Sequence, residues 1–115
     1  NVFKGLALMA TALLFILTIV PASGRPVTVL SHDIEHFSAF CATGMLYGLA
    51  FDRRLLQLAA LALAFATVLE CVQIPLATRH ARLEDWVVDS AALCVGILVG
   101  RLIRTLMSRF LVSPR

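Results

Sequence analysis

Long apolar stretches alternate with short segments that contain charged residues, Pro or Gly, and four such stretches cover most of the chain. Each is close to the roughly 20 residues that a helix needs to cross about 30 Å of hydrocarbon. Connections of a few residues force neighbouring helices to run antiparallel. The pattern therefore predicts an all-α integral membrane protein with one domain over residues 1–115, a bundle of four transmembrane helices at approximately residues 5–20, 33–51, 55–77 and 85–107.

Composition supports this prediction and excludes other classes of protein. Hydrophobic residues make up 60% of the chain and charged residues 15%, and the mean hydropathy is +0.91. A typical soluble domain has about 25% charged residues, so neither a water-soluble globule nor a disordered chain fits. A net charge of +3 is also too small for a nucleic-acid binder, which needs many clustered phosphate contacts. The three cysteines stand singly in apolar segments and predict no disulfide framework.

The first apolar stretch resembles a signal peptide in part, because Lys4 precedes it and Pro21 and Gly24 follow it. The stretch is longer than the core of about 7–15 residues that a signal peptide has. We therefore expect a retained membrane helix.

Basic residues predict the orientation, because cytoplasmic segments of membrane proteins carry an excess of Lys and Arg. With four spans, seven basic residues fall on the side of the N-terminus, the turn at 52–54 and the C-terminus, and three fall on the other side: Arg25, Arg79 and Arg82. Both termini are therefore expected in the cytoplasm, and the protein is expected to cross the membrane several times. The loops near residues 21–35 and 78–85 would then face outward.

Two Gly-x-x-x-Gly segments mark helix surfaces that allow close contact, Gly44 to Gly48 in the second helix and Gly96 to Gly100 in the fourth. Small residues at this spacing let helix backbones approach closely in lipid. The segments indicate tight packing inside the bundle, with homodimerisation or contact with another membrane protein as the alternative.

Ionisable residues inside the predicted spans locate a candidate site. A charged side chain in a spanning helix costs about 2.5–3.5 kcal/mol even on lenient insertion scales, so it usually faces a partner or a cavity. Helical spacing places five polar side chains, four of them ionisable, from three helices at one shallow depth below the outer surface: His36, Glu70, Gln73, Asp85 and Asp89. Arg79 and Arg82 lie in the adjoining loop. This convergence suits acid–base chemistry, cation binding or a polar lipid headgroup. A buried polar network that only fixes helix register is the alternative.

The segment His32-Asp-Ile-Glu35-His36 spells His-x-x-Glu-His, the pattern of inverted zinc peptidases. His32 and His36 lie on one helical face, so zinc could be held there with Glu35 as the base and Glu70 as a third ligand. The same residues also suit an ordinary helix start, where Ser31 is an N-cap and acidic side chains favour the positive end of the macrodipole. A zinc hydrolase is therefore only an alternative, and no cofactor belongs to the leading hypothesis.

The motifs of the second to fourth helices together resemble the VanZ-like family of small bacterial membrane proteins. The matching positions run over approximately residues 30–100 and comprise His36, Glu70, Gln73, Arg79, Asp85 and Gly96. Four positions depart from the family pattern: His32 and Asp33 stand where the family has Asp and Lys, Asp89 replaces an Asn, and Ala92 replaces a Gly. The site is thus more acidic than the usual one. Because the family is named after a protein linked to resistance to a glycopeptide antibiotic, the resemblance implies action at the cell envelope.

We therefore expect a VanZ-like inner-membrane protein whose outward-facing polar pocket binds or acts on a lipid headgroup or another envelope component. His36, Glu70, Asp85 and Asp89 would supply acid–base chemistry, with Gln73, Arg79 and Arg82 as ligand-binding residues. The sequence leaves open whether a reaction is catalysed. A non-catalytic accessory subunit that packs into a larger membrane complex is the main alternative.

Overall fold

The computed structural model describes residues 2–19, 32–74 and 83–111, and these residues form four helices. The helices are α1 (Val2–Ile19), α2 (His32–Ala50), α3 (Leu55–Gln73) and α4 (Leu83–Leu111). The predicted helices match these in number and order, with small differences at the ends. α4 begins two residues before the predicted start, because Glu84 and Asp85 fall in its first turn, where the macrodipole favours acidic side chains. α3 ends at Gln73, two residues before Pro75, which has no N–H to continue the helix. The predicted continuation of α3 to residue 77 lies outside the described residues.

Among the described residues, three helices are long and apolar enough to cross a membrane, namely α1, α3 and α4. The predicted fourth span, α2, does not meet that requirement. Its first turns carry Glu35 and His36, so the part of α2 that is free of ionisable side chains other than Cys41 and Tyr47 starts only at Phe37. Many large apolar side chains on the other three helices are exposed, such as Met9, Leu56 and Leu98. Such surfaces suit contact with lipid rather than with water.

The closest contact in the bundle joins α2 to α4 through the two glycine segments. A Cβ atom on Gly44 would collide with the backbone carbonyl of Leu93, and one on Gly96 would collide with that of Cys41 and lie 2.8 Å from the Met45 nitrogen. Gly48 and Gly100 meet one turn further along, where a Cβ on either would lie 3.1 Å from the Cα of the other. Backbone therefore packs directly on backbone, and only glycine fits at these positions without a shift of one helix.

α1 and α3 pack on the outside of the α2–α4 pair, each held by a hydrogen bond between side chains. The Thr11 hydroxyl of α1 lies 2.7 Å from the Tyr47 hydroxyl of α2. The Trp86 indole N–H of α4 donates to the Thr67 hydroxyl of α3 at 3.0 Å. A core of buried apolar residues lies between the helices and includes Phe40, Ala66, Leu69 and Ala92.

At one end of the bundle, which we call the basic end, α2 connects to α3 and α4 continues outward. The Arg101 guanidinium donates to the carbonyl oxygens of Phe51, at 3.4 Å, and of Arg53. Arg104 lies 3.5 Å from the Asp52 carboxylate. The Lys4 ammonium of α1 lies 5.5 Å from the centre of the Phe51 ring. Lys4, Arg53, Arg101 and Arg104, four of the basic residues that the sequence assigned to one side of the membrane, thus lie at one end of the bundle.

Candidate functional site

The opposite end of the bundle, where α2 and α4 begin and α3 ends, is the polar end. Its central contact joins His36 of α2 to Asp89 of α4, with 3.3 Å between Nδ1 and Oδ1. The two residues come from antiparallel helices that the glycine segments hold together, so their contact follows from the packing of the α2–α4 pair. The structure thus brings together two side chains that the sequence placed in the candidate site.

Asp89 is almost fully enclosed, with 2% of its surface exposed, whereas the His36 side chain keeps 23% exposure. The ring of Phe40, one turn along α2, lies 5.9 Å from the imidazole and covers it from below. A buried carboxylate costs much less free energy when it has a hydrogen-bond partner than when it is alone. The contact with His36 supplies such a partner.

Ser90 is a member of the buried polar end that the sequence analysis missed. It is 6% exposed, and its hydroxyl oxygen has no hydrogen-bond partner among the described residues. A single serine in an apolar helix gives little sequence signal, since it can face lipid and bond its own backbone. Its position directly after Asp89 is the only hint that the sequence holds.

α3 brings Glu70 and Gln73 to the polar end. Gln73 is buried, with 7% exposure, and Glu70 is half-buried. The Trp86–Thr67 hydrogen bond fixes the register of α3 against α4. Glu70 lies one turn beyond Thr67, and Asp85 directly precedes Trp86, so this register places both carboxyl groups at the same end of the bundle as His36 and Asp89.

Several predicted site residues lie outside the described part of the chain. These are Arg79, Arg82 and the side chain of His32, so their proposed roles as ligand-binding or zinc-binding residues stay predictions. Glu35 is half-buried in the first turns of α2. Within the described residues, no three His, Cys, Asp or Glu side chains are grouped so that they could hold a metal ion.

The His36–Asp89 contact has a definite chemical capacity. With Asp89 ionised, its carboxylate only accepts, so the imidazole donates Nδ1–H and the tautomer is fixed. Nε2 is then the ring nitrogen that gains or loses a proton. A histidine oriented by a buried carboxylate is a common general base, and it also serves as a hydrogen-bond donor to an anionic group.

Comparison of the chain with protein-family models, with curated proteins and with solved structures gives no match. The VanZ-like resemblance therefore rests only on the residues that carry it.

Proposed function

We propose that this chain is a VanZ-like protein of the bacterial inner membrane that binds a polar group of a lipid or another cell-envelope component at its polar end. The observation that carries the proposal is the His36–Asp89 contact, a titratable pair built at the end of an apolar bundle. Intramembrane ionisable residues are expensive, and functional sites are the usual reason for keeping them. In this proposal His36 exchanges a proton with the ligand or donates a hydrogen bond to it.

The proposal includes four spans with both termini in the cytoplasm and the polar end facing outward. The charge distribution supports this orientation, because Lys4, Arg53, Arg101 and Arg104 all lie at the basic end and cytoplasmic segments favour such residues. α2 is the one described helix that is not long and apolar enough to cross a membrane by itself, and its close packing on α4 shields its glycine face from lipid. The outer leaflet and the space beyond it then supply the ligand.

In this arrangement the remaining polar residues have distinct roles. Glu70 exchanges a proton together with His36, Asp85 orients Arg79, and Gln73 donates hydrogen bonds to the ligand. Arg79 and Arg82 pair with an anionic group of the ligand. The glycine segments, which also suit an accessory subunit, contact each other within the chain, so they favour the pocket over that alternative.

Two variants test the proposal in cells that lack the native protein. His36→Ala and Glu70→Gln are each expressed, and two readouts are measured: the envelope components that copurify, by mass spectrometry, and growth under antibiotics that act on the envelope. Each variant is expected to lose at least tenfold of the copurifying ligand, because a hydrogen bond to a charged group contributes about 1.5–3 kcal/mol.

Glu84→Gln is the matched control for Glu70→Gln, since Glu84 is an exposed carboxyl in the first turn of α4. It should retain both the ligand and the growth phenotype. Variants that fold normally by circular dichroism and keep the native ligand and growth would contradict the assignment of the site.

A further inference from the structure

A second feature of the bundle, separate from the polar end, is a cleft of about 240 Å³ in its middle. All four helices contribute to its wall. α3 forms one side with Leu58, Leu61 and Phe65, and Thr11 of α1 and Tyr47 of α2 line the other. Leu61 is 56% exposed, so the cleft reaches the lipid-facing surface of the bundle.

The polar atoms in this wall already have partners within the protein. The Thr11 hydroxyl donates to the Ala7 carbonyl at 2.8 Å and lies 2.7 Å from the Tyr47 hydroxyl. The Thr43 hydroxyl donates to the Ala39 carbonyl at 2.9 Å. The cleft therefore offers mainly apolar contact, which does not suit a polar ligand or a cluster of water molecules. In a bilayer, an acyl chain is the apolar group that surrounds such a surface.

One wall of the cleft leads directly to the basic end. The Tyr47 ring stacks on the Phe51 ring with 5.5 Å between their centres, and the Lys4 ammonium lies over the far ring of this stack. On the opposite wall, Arg54 precedes Leu58 by four residues, which is one helical turn. Lys4 and Arg54 thus mark the two sides of the cleft where it meets the basic end.

The basic end carries an excess of positive charge. Asp52 is the one acidic residue in the described stretches that form this end, and Arg104 pairs with it. Arg101 is engaged with backbone carbonyls. Lys4, Arg53 and Arg54 are exposed, and the first turn of α3 holds no acidic residue to offset them. The positive end of the α3 macrodipole adds to the same charge. This end is therefore complementary to an anionic group.

We propose that the cleft binds one anionic phospholipid of the surrounding membrane. An acyl chain lies against Leu58, Leu61 and Phe65, and the phosphate lies at the basic end between Lys4 and Arg54. Basic residues at the ends of spanning helices commonly bind anionic headgroups of the cytoplasmic leaflet, each contributing about 1 kcal/mol. The site is at the opposite end from His36 and Asp89, so it does not depend on the function proposed there.

To test this site, the purified protein in detergent micelles is titrated with lipid, and the number of lipids bound per chain is measured by native mass spectrometry. Phosphatidylglycerol and phosphatidylcholine with identical acyl chains are the two probes. One phosphatidylglycerol per chain is expected to bind at least tenfold more tightly than phosphatidylcholine. Arg54→Gln and Lys4→Gln should each weaken binding of phosphatidylglycerol about fivefold, which is the loss of one basic contact.

Arg109→Gln is the matched control, because Arg109 lies on the exposed end of α4 away from the cleft. It should weaken binding less than twofold. The acyl contact is tested separately by Leu61→Phe at the mouth of the cleft and by Ala62→Leu in its wall, which should weaken binding of both lipids. Leu61 is exposed, so Leu61→Phe keeps the test interpretable if Ala62→Leu fails to fold.

Three results would overturn the proposal. Equal affinity for the two lipids would show that the basic end does not select an anionic headgroup. A loss for Arg109→Gln as large as that for Arg54→Gln shows general charge attraction instead of a site. Unchanged binding of both lipids by a folded Leu61→Phe variant would show that no acyl chain lies in the cleft.

Discussion

Asp89 is the side chain that ties the chemistry of the polar end to the packing of the bundle. It is 2% exposed and reaches across the α2–α4 contact to His36. Removing one partner of such a contact leaves the other with an unmet hydrogen bond, which costs more than the contact itself contributes. We therefore expect this residue to affect stability in addition to its proposed role in ligand binding.

Asp89→Ala is expected to lower the free energy of unfolding in detergent by about 1–3 kcal/mol, because it removes the acceptor for His36. Asp89→Asn keeps the shape and an acceptor oxygen and should cost less. Thermal unfolding followed by circular dichroism measures both. Asp52→Ala is the control, since the Asp52 side chain is 81% exposed and should contribute less than 1 kcal/mol. A loss for Asp52→Ala equal to that for Asp89→Ala would contradict the argument.

Sequence reasoning placed His36 and Asp89 in the candidate site, but it did not pair them. The spacing of polar residues gives their depth along a helix, whereas contact also depends on how each helix is rotated. That rotation is set by the glycine contact between α2 and α4. Ser90 was missed for a related reason, since one hydroxyl neighbouring a carboxylate does not reveal which way it faces.

At the scale of elements, the α2–α4 contact determines how the other helices are arranged. Both Gly-x-x-x-Gly segments face each other along this contact. α1 and α3 then pack on the pair through larger side chains, with the Thr11–Tyr47 and Trp86–Thr67 hydrogen bonds among their contacts. A substitution at this contact should therefore disturb the whole bundle, whereas a substitution on the outer face of α1 should not.

Gly96→Ala is expected to destabilise the bundle by about 1–3 kcal/mol, because its Cβ would collide with the Cys41 carbonyl and the helices must move apart. Gly5→Ala is the matched control, since nothing lies within 4 Å of a Cβ at that position. Gly5→Ala should therefore raise the free energy of unfolding by about 0.5–1 kcal/mol, because alanine has the higher helix propensity. Gly96→Ala is thus expected to lower the stability and Gly5→Ala to raise it. Equal unfolding temperatures for the two variants would contradict this expectation.

The helices themselves were predictable, because each apolar stretch is bounded by residues with a clear physical effect. Pro75 follows the end of α3 by two residues and has no N–H to continue that helix. The start of α4 is marked by the acidic residues in the first turn of α4. The sequence did not show that α4 continues to Leu111, four residues beyond the predicted end. Its last turns combine basic and apolar residues. This pattern fits a helix that continues outside the hydrocarbon core of the membrane as well as it fits a segment without helical structure.

At the scale of the molecule, charge separates the two ends of the bundle. Basic residues from α1, α4 and the turn before α3 meet at the basic end, and carboxyl groups with His36 meet at the polar end. The sequence predicted this separation, because it follows from counting charges along antiparallel helices. It did not predict the apolar cleft, which depends on how far α3 stands from α1 and α2.

The orientation can be tested by cysteine labelling in a variant without the native cysteines. Lys4→Cys, Asp52→Cys and Arg109→Cys are each exposed to a membrane-impermeant maleimide in intact cells. With four spans and both termini in the cytoplasm, all three should stay unlabelled until the membrane is permeabilised, and Glu84→Cys should be labelled at once. If α2 does not cross the membrane, Lys4→Cys in α1 and Arg109→Cys in α4 lie on opposite sides of it. Only one of these two variants then stays unlabelled in intact cells.

The partnership of α2 with α4 also constrains the order of biosynthesis. Among the described helices, α2 is the one least able to enter the bilayer by its own apolarity, yet the surface that its glycines fit belongs to α4, which leaves the ribosome after the other three. The nascent chain must therefore hold α2 in an incomplete state until α4 emerges. Truncation before Gly96 would leave a product that the quality-control proteases of the membrane can degrade.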